Sequence, residues 1–137
     1  MHVATRCDDP AQRPIPRSRI AIGLDAALRG RLAALAAGRS IAIDWFASRS
    51  RCTSVWVGDL TARWVEPGTP GEAGLVPLAP IDGVPVLAAA SLLDLLATTG
   101  PSLRLSGPVF ARHLAIDLVD PVAWFDFLET PLAHRRH

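Results

Sequence analysis

Ser40-Ile41-Ala42-Ile43-Asp44-Trp45-Phe46, then Cys52-Thr53-Ser54-Val55-Trp56-Val57-Gly58-Asp59, then Thr61-Ala62-Arg63-Trp64-Val65-Glu66: this stretch decides the fold class. In the first segment Ile41, Ile43 and Trp45 alternate onto one face, the period of a half-buried strand. In the second, Val55 and Val57 share a face and Trp56 takes the other. Gly58-Asp59 reads as a turn leading into the third segment. Connections this short cannot form a parallel crossover, so antiparallel hairpins are expected.

Upstream, Arg19 to Gly23 reads as a short strand, and Asp25 opens a helix. Leu24, Leu28, Leu32 and Leu35 recur at spacings of four, four and three along one helical stripe, with Gly38 as its stop. Downstream, residues 66–80 are rich in Pro and Gly and read as a loop. Val84 to Ala88 is a strand that Pro85 confines to an edge or a strand start. Ser91 is expected to cap a second helix carrying Leu92, Leu93, Leu95 and Leu96, which Gly100-Pro101 ends. Leu103 to Leu105 and Val109 to Val119 are strand candidates. Asp120-Pro121 reads as an N-cap followed by Pro at the first helical position, opening a helix with Trp124, Phe125, Phe127 and Leu128. Two or three short helices set among mostly antiparallel strands make an α+β architecture.

A chain of 137 residues is the size of one domain, expected over residues 19–130. Residues 1–18, with Pro10, Pro14 and Pro16 among Arg and Asp, read as a flexible N-terminal tail. Residues 131–137 read as a charged C-terminal one. Half the residues are apolar and 20% are charged, an ordinary globular balance. All 14 cations are Arg, against 13 anions. The missing Lys, Asn and Tyr suit a GC-rich bacterial genome. Near-neutral charge argues against a nucleic-acid surface or an anionic-membrane surface. Met1 to Arg19 has no apolar run typical of a leader, and no stretch suits membrane insertion. Two cysteines, Cys7 and Cys52, are too few for a disulfide framework. A cytoplasmic protein is expected.

No phosphate-binding loop, dinucleotide fingerprint, nucleophile elbow or zinc-protease motif occurs, so no enzyme is expected. Cys52 stands out because Arg49 and Arg51 flank it, and nearby guanidinium groups favour a thiolate. It reads either as a metal or cluster ligand or a redox-active thiol, or as a small half-buried hydrophobe at a strand start. His113 lies in Ala111-Arg112-His113-Leu114-Ala115-Ile116-Asp117, where alternation gives it the face of Ala115 and Asp117. Leu114, Ile116 and Leu118 take the core face. His113 is a surface histidine or, with Cys52, a ligand for zinc or iron. Asp44 and Asp59 read as structural. His134 and His137, beside Arg135 and Arg136, read as a solvated terminus. Trp124, Phe125 and Phe127 cannot all face the core from one helix, since adjacent positions diverge around its axis. Trp124 and Phe127 are taken as a contact surface for another protein or a second copy.

The segment Ile81-Asp82-Gly83-Val84-Pro85-Val86-Leu87-Ala88-Ala89-Ala90-Ser91-Leu92-Leu93-Asp94-Leu95-Leu96 resembles the HesB-like, or A-type iron–sulfur carrier, proteins. In these a strand leads into a short helix and a further strand, here Leu103 to Gly107. Ile20-Ala21-Ile22 and its helix resemble the family's opening, and Ser40 to Glu66 its central hairpins. The likeness covers roughly residues 19–118. It implies a β-rich fold with three cysteine ligands, the first at Cys52. The C-terminal C-x-C pair is missing, for residues 111–126 contain no cysteine. A [2Fe–2S] cluster takes four ligands. The expectation is therefore a non-catalytic interaction module or accessory subunit on a degenerate HesB-like fold, with no cofactor. The alternative is an iron or iron–sulfur binding or carrier protein that uses Cys52, helped by His113, by an Asp or by a partner's residues.

Overall fold

The computed structural model describes residues 20–49, 56–69 and 74–129, and of Arg49 and Trp56 the backbone alone. Among them are seven strands and three short α-helices in an α+β arrangement. Strand β2 (Ser40–Arg49) pairs antiparallel with β3 (Trp56–Val65) along ten residues, from Ser40 opposite Val65 to Arg49 opposite Trp56. Ile41, Ile43 and Trp45 point into the core, as their alternation requires. Gly58-Asp59 is not a turn: it lies inside β3, opposite Ala47 and Phe46. A Cβ at Gly58 would overlap the Phe46 carbonyl oxygen and come within 2.8 Å of Ala47 Cα. Glycine is there for close packing of two backbones. The part of the strand reading on Cys52 to Val55 lies outside the described residues.

On its other side β2 pairs parallel with β5 (Val84–Ala89), which pairs antiparallel with β4 (Leu75–Ile81). The sheet order is β3-β2-β5-β4. The loop expected over residues 66–80 thus contains most of an edge strand. Pro77 and Pro80 disguise it, and an edge tolerates both because it needs fewer amide donors. Pro85 sits in an inner strand, but ahead of Val86, where the β2 ladder begins, and beside the register shift between Leu78 and Ile81. Asp82 and Gly83 join β4 to β5 with φ of 50° and 79°. Positive φ at both positions is what a tight hairpin turn requires.

A second sheet has the order β1-β6-β7: β1 (Gly23–Leu24) lies parallel to β6 (Ser102–Ser106), and β7 (His113–Asp117) antiparallel to it. Among the described residues the opening strand is Gly23–Leu24, so Ile20 to Ile22 lie outside it, and Arg19 falls outside the described residues. Ile20 is buried as an apolar plug ahead of it. Leu114 and Ile116 turn inward while His113 and Asp117 are exposed, following the predicted alternation. That alternation does not extend back to Val109, because Val109–Ala111 form a 3-10 turn.

The first helical segment is split. The Asp25 carbonyl accepts the amides of Leu28 and Arg29 at 3.1 and 3.2 Å, a first turn that Gly30, at φ 72°, interrupts. Helix α1 (Leu32–Ala36) follows and ends at Ala37 and Gly38, both with positive φ. Arg39 caps it, donating from Nε to the Ala36 carbonyl at 2.9 Å and from Nη2 to that of Leu35 at 3.0 Å. The same guanidinium lies 5.2 Å from the centre of the Trp64 ring, a cation–π contact. Helix α2 (Leu93–Thr99) is entered through a 3-10 turn, Ala90–Leu92, that contains Ser91. Ser91 does not cap the helix. Its Oγ instead accepts the Trp45 indole N–H at 3.0 Å. Gly100, left-handed, ends α2 as expected. Helix α3 (Val122–Leu128) starts where Asp120-Pro121 predicts, with Asp120 Oδ1 accepting the Val122 amide at 3.1 Å.

Trp124 and Phe127 correct the sequence reading. Each is only 8% exposed, so both belong chiefly to the core and neither stands out as an exposed contact residue. With Trp45 they form an aromatic cluster: Phe127 meets Trp45 edge-on at 5.1 Å, Trp124 meets it at 6.3 Å, and the two stack at 5.4 Å. Such pairs add roughly 0.5–1.5 kcal/mol each beyond the burial of their area. The cluster joins α3 to the four-stranded sheet and belongs to one core that runs from Ile20 to Leu128. No helix among the described residues is long and apolar enough to cross a membrane.

Candidate functional site

The two sheets meet where β3 faces β7, and a groove opens along that line. One end, about 350 Å³, is lined by Asp59, Leu60, Ile116, Leu118, Pro121 and Phe125, with Trp124 in its floor. The other end, about 430 Å³, is lined by Thr61, Arg104, Ser106, His113 and Asp117 among others. Asp59, Leu60, Ile116 and Asp117 border both ends, so the two adjoin. Each end falls in the size range of a small binding site.

The apolar end follows from the short α3. The Asp120 cap and Pro121 start the helix close to β7. Trp124 and Phe127 then take the core face, and Phe125, about 100° round the helix, is forced outward. Phe125 is 62% exposed, and Val119 and Val122 are exposed too. Trp124 is held in the floor by its indole N–H, which donates to the Gly58 carbonyl at 3.2 Å. The polar end follows from the β6–β7 pairing. Arg104 lies opposite Ala115, and its Nε reaches diagonally to Asp117 Oδ2 at 2.5 Å. Both side chains are largely solvated, so the pair orders the groove wall more than it stabilises the fold. Asp59 Oδ1 accepts its own neighbour's amide, Leu60 N, at 3.0 Å.

His113 stands exposed at the start of β7 in the polar end, opposite Ser106. Cys52, the ligand proposed with it, lies outside the described residues, as do His134 and His137. No group of three or more His, Cys, Asp or Glu side chains suited to a metal ion occurs among the described residues. Asp44 is half-buried on β2 and accepts the Trp45 amide at 2.8 Å, the structural role expected of it. Sequence reading missed Phe110 and Val109, among the most exposed large apolar side chains described. Gly107-Pro108 was the available signal, a turn dipeptide that ends a strand.

Comparison with protein-family models and with curated proteins finds no match to this chain.

Proposed function

We propose that the chain is a non-catalytic interaction module, a small accessory subunit on a HesB-like framework, which docks another polypeptide in the β3–β7 groove. The observation that carries this reading is Phe125, a large aromatic left open on the rim of an apolar groove floored by Trp124. An exposed aromatic beside a concave apolar surface is the usual anchor of a protein interface. The polar end supplies hydrogen-bonding groups for orientation: Thr61, Ser106, His113 and the Arg104–Asp117 pair. Selection of a phage-displayed random peptide library on the immobilised protein tests it. The wild type enriches apolar peptides that F125D does not retain. Equal enrichment by both proteins, or none by either, contradicts the reading.

A further inference from the structure

The β6–β7 connection carries Val109 and Phe110 at its tip, 83% and 91% exposed. The tip is built. The Ala111 amide donates to the Pro108 carbonyl at 2.9 Å, which closes the 3-10 turn. Gly107, at φ 93°, packs so tightly that a Cβ there would stand 2.8 Å from the Ala111 carbonyl oxygen and 3.2 Å from His113 Nδ1. Phe110 therefore projects from a closed backbone turn. Arg112, two residues on, is exposed and has no ionic partner among the described residues. The apolar end of the groove has the complementary features. Its volume is about 350 Å³, and a cavity of about 150 Å³ accommodates a benzene ring. Asp59 in its wall has no cationic partner among the described residues.

We infer that the polypeptide docked in the groove is a second copy of this chain, with Phe110 of each copy entering the other's groove beside Phe125 and Arg112 pairing with Asp59. The inference rests on the docking reading of that groove and names its occupant. Knob and groove lie at opposite ends of β7, roughly 14 Å apart for a five-residue strand. In a two-fold dimer the same contact is then made twice, knob to groove in each direction, which closes the assembly. Opposite unpaired charges beside each apolar element fix the orientation.

Sedimentation velocity from micromolar to millimolar concentration tests this with the full chain. The wild type passes from monomer to dimer with rising concentration. F110D and F125D raise the dissociation constant at least about thirtyfold. Both sites are exposed, and unchanged thermal melts confirm that the variants fold. R112D and D59R each weaken self-association, and their equimolar mixture restores it, because the mixed dimer pairs opposite charges at both contacts. A wild type that stays monomeric at millimolar concentration overturns the inference, as does F110D associating like the wild type or a mixture no tighter than its components. A monomeric protein that still selects peptides through Phe125 overturns self-association alone. One that selects none also overturns the docking reading.

Discussion

The indole N–H of Trp124, on helix α3, donates to the carbonyl oxygen of Gly58, inside strand β3, at 3.2 Å across 66 positions of sequence. Each residue is fixed by something else as well. Gly58 has room only for a hydrogen where β3 crosses Ala47, and Trp124 is stacked on Phe127. G58A is expected to destabilise the fold by about 2 kcal/mol, because the added methyl overlaps backbone that cannot move aside. W124F keeps most of the ring contacts but loses the donor and is expected to cost about 1 kcal/mol. Urea denaturation of both variants measures these. A neutral G58A would mean that the β2–β3 backbones are not as close as described.

Phe125 and Phe127 are two positions apart and are expected to behave oppositely. F127A removes a ring buried against two tryptophans and should cost about 3–5 kcal/mol. F125S changes an exposed ring and should shift stability by no more than about 0.5 kcal/mol in either direction. Thermal or denaturant melts separate the two cases. Similar losses for both would place Phe125 in the core and remove the anchor of the docking reading.

Asp82 holds a left-handed conformation, φ 50°, in the β4–β5 turn. Asn, which tolerates that region, should be nearly neutral there. Val, whose branched Cβ does not, is expected to cost about 1–2 kcal/mol. Refolding equilibria for D82N and D82V check the sign and the size.

The Arg104–Asp117 pair spans β6 and β7 with both side chains solvent-washed, 43% and 54% exposed. R104A is expected to cost less than about 1 kcal/mol, with most of that small loss already gone in high salt. A large, salt-insensitive loss would show that the pair is a structural lock.

The parts of this fold legible in the sequence were those written in period and capping. Ile41, Ile43 and Trp45 gave β2 and its core face, Leu114 and Ile116 gave that of β7, and Asp120-Pro121 and Gly100-Pro101 marked helix ends. Local signals failed where a distant neighbour decides the local role. Gly58-Asp59 has the composition of a turn, but the glycine answers to Ala47 across the hairpin. Ser91 has the chemistry of a cap, but Trp45 takes its oxygen. Pro77 and Pro80 look like loop residues until the sheet puts them on its edge. In the site, the three-aromatic helix showed that one ring had to be exposed, but its phase against the core was set by Trp45, which is remote in sequence. Phe110 escaped notice because the alternation of β7, carried back past Arg112, would bury it. The 3-10 turn breaks that period.

The docking claim turns on the surface around Phe125, and site-specific photo-crosslinking in the native host tests it most directly. A photoreactive p-benzoylphenylalanine replaces Phe125 in one strain and Ala79, exposed on the far edge strand β4, in another. A defined polypeptide adduct is expected at position 125, whether with this chain or with another, and none at position 79. Illumination that yields no adduct at position 125, or the same products at both positions, contradicts it.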